Sequence, residues 1–432
     1  MKTKLIIFGI TGDLSTRKLL PALSKIITAG TFDDLQVIGV SRKKIDMSEF
    51  LQSLPGEINL GKNASLFSMD LAAKADYEEL KKSINLQKNE QAVVYLSVPP
   101  SASSQIVTLL GEAGLNTPNV KLLFEKPFGV DLESAKDMIL HTSRYFEEEQ
   151  IYRIDHYLAK EMAQNIIAFR SHNALFSQIW NHEFIERIEI LASETIGIEG
   201  RVVFYEQTGA LKDFLQGHLM QLLALTIMEI PDQLDWNAVP ALRLEALRSV
   251  RLADPTTAIR AQYDSYQEEV NNSGSTTETF VSVQLASSNS RWNNVPLTLT
   301  TGKALDRKTT EVRIYFKKQH DKQSDELIFH IQPDEGVEIG LYTKKPGYER
   351  EFEEQKLSFT YAEDALLPDA YEQVLVDAIR SSKSLFTSGE EVLRSWEILQ
   401  PILDTWSMST ERLPLYSKGE ATHNICSVEK KI

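Results

Sequence analysis

The first 150 residues alternate between short, nearly unbroken apolar runs and amphipathic stretches. Residues 4–9, Lys-Leu-Ile-Ile-Phe-Gly, read as a buried strand that breaks at Gly9-Ile10-Thr11-Gly12. From Asp13 to Thr28 the apolar positions Leu19, Leu20, Leu23, Ile26 and Ile27 recur at helical spacing, and Gly30 supplies a stop. Residues 35–41, 92–98 and 120–124 predict three further strands, with helical segments between them. Strands that are apolar throughout and alternate with helices predict a parallel sheet covered on both faces. The first domain is placed at residues 1–150.

Beyond residue 150 the rhythm changes. Residues 185–192, 279–285, 297–301, 312–316 and 327–331 read as strands, and several follow one another with no helix between them. Helices are expected over 158–171, 210–228, 241–249 and 369–381. The expected whole is an α/β domain followed, over 151–432, by an α+β domain with a large mixed or antiparallel sheet. Residues 271–275, Asn-Asn-Ser-Gly-Ser, form the most loop-like stretch, and the last dozen residues are expected to be disordered.

Charge narrows the function classes. The 432 residues carry 46 Lys plus Arg against 61 Asp plus Glu, a formal charge of −15. A field of that sign repels phosphate on average, which argues against coating nucleic acid or anionic lipid; any phosphate must be held by a local basic pocket. Cys426 is the single cysteine, so an internal disulfide framework and a cysteine-based zinc cage are excluded. The apolar run after Met-Lys-Thr-Lys is too short for a signal peptide, and no run approaches the roughly 20 residues of a membrane span. The expectation is a cytoplasmic protein without membrane partners.

The break after the first strand carries candidate chemistry. A strand, then Gly9-x-x-Gly12, then a helix, is the arrangement of a Rossmann-like dinucleotide-binding domain: the glycines let the backbone approach a pyrophosphate, and the helix start offers free N–H groups. The pattern is looser than the full Gly-x-Gly-x-x-Gly fingerprint, and an ordinary strand-to-helix turn is the alternative; its place at the start of an alternating α/β pattern favours the cofactor reading. At the end of the second strand stands Ser41-Arg42-Lys43-Lys44, where an NAD site would usually have an acidic residue. Arg42 is suited to stacking on adenine and pairing with a 2′-phosphate, with Ser41 beside it. A solvated basic turn is the alternative; the preceding strand–turn–helix favours NADP, with NAD as a second choice.

Two further segments concentrate polar groups. Were a helix to begin near Tyr157, His156 and Lys160 would sit one turn apart and converge on one anion, leaving Asp155 to orient another group. A capped helix start with surface charges explains the same residues. In the second segment Asp213 and His218 interrupt an apolar helix, a pattern that also fits a hydrogen-bonded core histidine.

The sequence resembles the glucose-6-phosphate dehydrogenase family. The likeness lies in residues 8–23, Glu125-Lys126-Pro127-Phe128-Gly129, residues 153–161, Glu194 with Gly197, residues 199–201, 277–280, 295–297, 302–305, 332–335 and 344–347, collinear over about residues 4–406. The resemblance implies oxidation of the C1 hydroxyl of glucose 6-phosphate to a lactone, the first step of the oxidative pentose phosphate pathway, with hydride passing to NADP. It implies that His218 is the general base and Asp155 the carboxylate that holds its imidazole. His156, Tyr157, Lys160 and Lys303 would bind the sugar phosphate, and Glu194 and Asp213 would accept hydrogen bonds from sugar hydroxyls. Lys18 and Lys126 would sit between substrate and cofactor, and Pro127 matches a proline often found in the cis form. Gly9, Thr11, Gly12, Asp13 and Leu14 would form the cofactor turn, and Arg42 would meet the 2′-phosphate. A homodimer is implied, and no metal.

Three departures from the family pattern stand out. Ala159 replaces a usual Gly, Gly217 replaces a usual Asn, and the chain is short with a poor match after Trp406. A dehydrogenase of another 6-phosphorylated sugar, or a non-catalytic binding relative, are the competing readings.

Overall fold

The computed structural model describes residues 2–32, 34–61, 64–318, 325–362, 365 and 367–428. The chain divides into two compact units. The first comprises Met1–Ala159, Asp235–Pro240 and Leu367–Val392, and the second comprises Lys160–Leu234, Ala241–Leu366 and Leu393–Ile432.

The first unit is built on strands β1 (Lys2–Phe8), β2 (Leu35–Ser41), β3 (Ala64–Ser68), β4 (Glu90–Leu96), β5 (Val120–Phe124) and β6 (Ile151–Ile154). With the two-residue strand Phe386–Thr387 they form one sheet in the order 386–387, β6, β5, β4, β1, β2, β3. All neighbours are parallel except Phe386–Thr387, which runs antiparallel to β6. Leu5, Ile6, Ile7 and Phe8 are wholly buried, as are Val93, Tyr95, Leu122 and Leu123. That burial on both faces is what the unbroken apolar runs demand. The strand order reverses at β1, whose two neighbours are β2 and β4, so the carboxyl end of β1 opens at the switch point where such sheets bind ligands. Helix Leu20–Thr28 packs on helix Ala370–Arg380, with Lys25 paired to Glu372 at 2.7 Å.

The helix expected from Asp13 begins later and is not uniform. Ser15–Leu19 is a π turn, and the α-helix proper is Leu20–Thr28, with Pro21 in its first turn. Proline fits there because its missing N–H is one of the groups left unpaired at a helix start.

The second unit holds β7 (Ile185–Ser193), β8 (Ile259–Tyr263), β9 (Phe280–Leu285), β10 (Leu297–Gly302), β11 (Thr309–Phe316), β12 (Glu326–Gln332), β13 (Gly336–Lys344) and β14 (Phe352–Thr360). Their order is β14, β13, β12, β11, β7, β10, β9, β8, followed by the short strand Leu415–Tyr416. The sheet is mixed: β10 runs parallel to β7, whereas β11 runs antiparallel to it. The expected helix over 210–228 is two pieces, a π segment Leu211–Leu219 and an α-helix Met220–Ile227. The tail expected to be disordered contains helix Thr422–Val428, and Ile425 is buried in the apolar cluster around Tyr263 and Tyr416, while residues 429–432 lie outside the described residues. Among the described residues no helix is long and apolar enough to cross a membrane.

Candidate functional site

At the end of β1 the chain turns through Gly9, whose φ of +79° suits glycine alone among common residues. A Cβ here would drive into the carbonyl oxygen of Ser97, the residue after β4. The turn is held from inside. Gly12 N–H donates to the Gly9 carbonyl at 2.8 Å, and Ser15 Oγ donates to the same carbonyl and to Ser97 Oγ, each at 3.0 Å. Its outer rim is open: Thr11 and Asp13 are exposed, and Gly12 and Leu14 partly so. Lys18 lies half exposed beyond the rim, 3.9 Å from Asp369.

The neighbouring strand end offers cations. Ser41 is buried and its hydroxyl accepts the Lys43 N–H at 3.1 Å, which tightens the turn; Arg42, Lys43 and Lys44 are exposed. A close-approach glycine turn at a switch point, beside an exposed guanidinium and two lysines, fits the donor set a phosphorylated dinucleotide requires. NADP fits these residues.

A second cluster in the same unit gathers where β5 and β6 end. Lys126 Nζ donates to Asp155 Oδ2 at 2.7 Å, and Asp155 Oδ1 accepts the Tyr157 N–H at 3.0 Å. Asp155 is 1% exposed. The latter bond closes a turn in which Leu158 N–H also returns to the Asp155 carbonyl, so residues 156–160 are not helical and the helix starts at Glu161. The helical spacing offered for His156 and Lys160 is therefore absent. His156 instead lies against the Tyr157 ring, centroids 4.8 Å apart. The Lys126–Pro127 peptide is cis. Ala159, which departs from the family's Gly, is 3% exposed and packs into the apolar core of this unit, at a residue without positive φ.

Glu125, beside Lys126, was not singled out as a site residue. It accepts a hydrogen bond from the buried Tyr95 hydroxyl. Burial pushes its carboxyl up to about 7, outweighing the Tyr95 bond and the Lys126 charge, which pull the other way. Between its ordinary value near 4.5 and about 7 the native state keeps a proton that the unfolded chain has released. Stability therefore falls as pH rises through that window. Glu125→Gln should match the parent in thermal unfolding at pH 4 and exceed it at pH 8, by on the order of 3 kcal/mol.

In the second unit, register places two candidates side by side. Ser193 on β7 pairs with Gly302 on β10, so Glu194 and Lys303, each one residue further on, leave the sheet together. Lys303 Nζ forms an ion pair with the Glu194 carboxylate and lies 5.4 Å over the Tyr205 ring. The lysine is buried and Glu194 is about one-third exposed. Asp213 and His218 ride on the π segment Leu211–Leu219; Asp213 is half-buried and His218 is 6% exposed, its ring edge-on to Phe214 at 5.0 Å between centroids. Gly217, the second departure, lies in the same segment. A π turn adds a residue between successive hydrogen bonds and so re-aims side chains, which is why such turns recur at functional sites. Lys160, at the start of helix Glu161–His172, faces Glu335 at 3.9 Å. Burial raises the Glu335 carboxyl, and among the described residues its Oε2 has no hydrogen-bond partner.

The family model for the glucose-6-phosphate dehydrogenase NAD binding domain matches residues 6–165, and that for the C-terminal domain matches residues 167–426. A glucose-6-phosphate 1-dehydrogenase from Chlamydia muridarum is 34% identical over 468 residues, covering 96% of this chain and 92% of the relative. Among solved structures, a glucose-6-phosphate dehydrogenase in complex with its substrate glucose-6-phosphate superposes with a TM-score of 0.91 at 29% identity, covering 98% of this chain and 95% of the other. A glucose-6-phosphate 1-dehydrogenase from Mycobacterium avium superposes with a TM-score of 0.85 at 30% identity, covering 97% and 94%. Along nearly all of its length, the chain belongs to the glucose-6-phosphate dehydrogenase family.

Proposed function

We propose that the protein oxidises the C1 hydroxyl of glucose 6-phosphate to 6-phosphogluconolactone, with NADP as the oxidant. The observation that carries this reading is the family match over both units. The local chemistry agrees with it. When bound, NADP supplies the acceptor for the C1 hydride. The chain's own residues do the rest. His218 removes the C1 hydroxyl proton, and Asp155 is the carboxylate that stabilises the charge the imidazole gains. His156, Tyr157, Lys160 and Lys303 bind the phosphate dianion through charge-assisted bonds, which reconciles phosphate binding with the acidic whole. Glu194 and Asp213 accept hydrogen bonds from sugar hydroxyls. Partly buried carboxylates left without a partner by a missing or inverted hydroxyl discriminate against that sugar. Lys126 and Lys18 order the two ligands against each other, and Gly9, Thr11, Gly12, Asp13 and Leu14 form the cofactor turn. Ser41 shapes the turn from which Arg42 meets the 2′-phosphate.

The direct chemical test uses glucose 6-phosphate deuterated at C1. Deuterium should appear in the reduced cofactor by mass spectrometry, with the lactone or its hydrolysis product alongside; reduced cofactor without deuterium would reject C1 as the hydride donor. For the cofactor, Arg42→Ala should raise the KM for NADP by about tenfold or more and leave that for NAD within about threefold, since only NADP carries the 2′-phosphate. Equal effects on both cofactors would place Arg42 elsewhere in the site.

The large sheet gives the reading a partner. On β13 and β14, Leu341, Leu357 and Phe359 are all more than one-third exposed and, by the β13–β14 register, share one face. An apolar face of this kind on an outer strand pair marks an interaction surface, and the second copy of the chain is its occupant. Phe359→Asp should convert a homodimer into a monomer in sedimentation experiments; a parent that sediments as a monomer at micromolar concentration would remove the dimer. The site of action is the cytoplasm.

A further inference from the structure

The π segment that carries Asp213 and His218 begins at an abrupt break. Gly209 has φ +62° and ψ −177°, outside helical geometry, where helix Val202–Ala210 gives way to Leu211–Leu219. A break of this kind leaves backbone N–H groups without intrahelical partners. Both of the next two are collected by one residue, Glu278. Its main-chain carbonyl accepts the Ala210 N–H at 3.0 Å, and its side-chain Oε1 accepts the Leu211 N–H at 2.9 Å. Glu278 is 8% exposed, and a Cβ on Gly209 would run into its carboxyl, so the glycine and the glutamate are fitted to each other.

The neighbouring residue holds the opposite side. The Thr279 carbonyl accepts the Lys303 N–H at 2.9 Å, and the Tyr416 hydroxyl donates to the Lys303 carbonyl at 2.7 Å while bonding the Thr279 hydroxyl at 2.9 Å. Residues 278 and 279 thus join the start of the segment bearing Asp213 and His218 to the backbone of Lys303, whose side chain meets Glu194.

We infer that Glu278 is a positioning residue for the dehydrogenation: its carboxyl oxygen fixes the start of the His218 segment, and with it where Asp213 and His218 stand relative to Lys303 and Glu194. The inference rests on the roles proposed above for His218 and Asp213. Burial pushes the carboxyl up to about 7, so both protonation states are populated near neutral pH, and each provides an acceptor for the Leu211 N–H. Glutamine keeps that acceptor at the same reach; alanine and aspartate do not.

The test compares Glu278→Gln, Glu278→Ala and Glu278→Asp in the full-length protein, with rates normalised to the fraction that binds NADP. A misplacement of 1 Å in a catalytic group costs on the order of 10²-fold. Ala and Asp should therefore lower kcat for glucose 6-phosphate by about 30- to 100-fold, with the Kd for NADP within about twofold of the parent. Preference for glucose 6-phosphate over galactose 6-phosphate should shrink in both, because Asp213 moves with the segment. Gln should stay within about threefold of the parent in kcat and preference. Loss in Gln equal to that in Ala overturns the inference, as does Asp or Ala within about threefold of the parent. A loss that tracks weakened NADP binding, with sugar preference intact, also overturns it, since that marks a structural role only. Should Ala fail to fold, Asp and Gln still decide the matter. The parent's own rate with glucose 6-phosphate tests the underlying reading separately: a silent parent rejects that reading, whereas an active parent with indifferent variants rejects only Glu278.

Discussion

His218→Asn should lower kcat with glucose 6-phosphate by roughly 10²–10⁴-fold, the range a positioned general base supplies. The Kd for NADP should not change. Asparagine approximates the imidazole in size and can still hydrogen-bond, but it cannot take up a proton near neutral pH. His218 is 6% exposed on a buried helical face, packed edge-on to Phe214, so the substitution alters no surface and leaves the Phe214 contact nearly filled. The loss should therefore fall on kcat more than on KM, since binding that is equal in ground and transition states is retained. Steady-state kinetics with cofactor binding by fluorescence separates the two. A kcat within about tenfold of the parent would remove His218 from proton transfer, because a general base is worth more than that.

Gly9→Ala should abolish NADP binding and lower stability by about 2–5 kcal/mol, the sum of left-handed backbone strain and overpacking. Both causes are local. Gly9 has φ +79°, and the added methyl meets the Ser97 carbonyl oxygen, part of the backbone leaving β4, which cannot rotate aside as a side chain would. The bonds that hold the turn converge on the Gly9 carbonyl, from Gly12 N–H and Ser15 Oγ, so displacement spreads to both. Urea unfolding and NADP titration measure the two effects separately. By contrast, Gly30 also has positive φ, at +65°, but a Cβ there has no atom of the described residues within 4 Å. Gly30→Ala should cost only the strain, about 1–2 kcal/mol, with NADP binding intact. Equal losses in the two variants would show that strain alone, not close approach, accounts for the Gly9 effect.

Much of the first unit was legible because its strands are buried on both faces. The runs that became β1, β2, β4 and β5 are nearly continuous in apolar residues, and their bounds shift by at most two residues from those expected. Legibility stops where structure depends on partners distant in sequence. The polar and charged run Phe352–Thr360 carries no alternation that marks it as β14, because eight of its nine residues stay exposed at the sheet edge. Residues 367–392 join the first unit through pairings such as Phe386 with Ile154, which no local pattern announces.

The candidate site was legible by residue type but not by geometry. The helix read from Tyr157 starts at Glu161 because the Asp155 carboxylate captures the Tyr157 N–H and folds the intervening residues into a turn. Hydrophobic spacing does not separate a π turn from an α-helix over nine residues, so Ser15–Leu19 and Leu211–Leu219 went unseen. Glu125 and Glu278 stand in stretches that carry the family resemblance, yet nothing in the sequence assigns them a role; their burial, and the groups that meet them, set them apart. The Lys126–Asp155 and Lys303–Glu194 pairs likewise join residues that the sequence reading had assigned separate partners.

The most direct test of the account is absorbance at 340 nm with purified protein, glucose 6-phosphate and NADP. Sustained NADP reduction that depends on the sugar phosphate and is lost in His218→Asn is the expected result. No reduction with glucose 6-phosphate, in protein that binds NADP and turns over another 6-phosphorylated sugar, would contradict it.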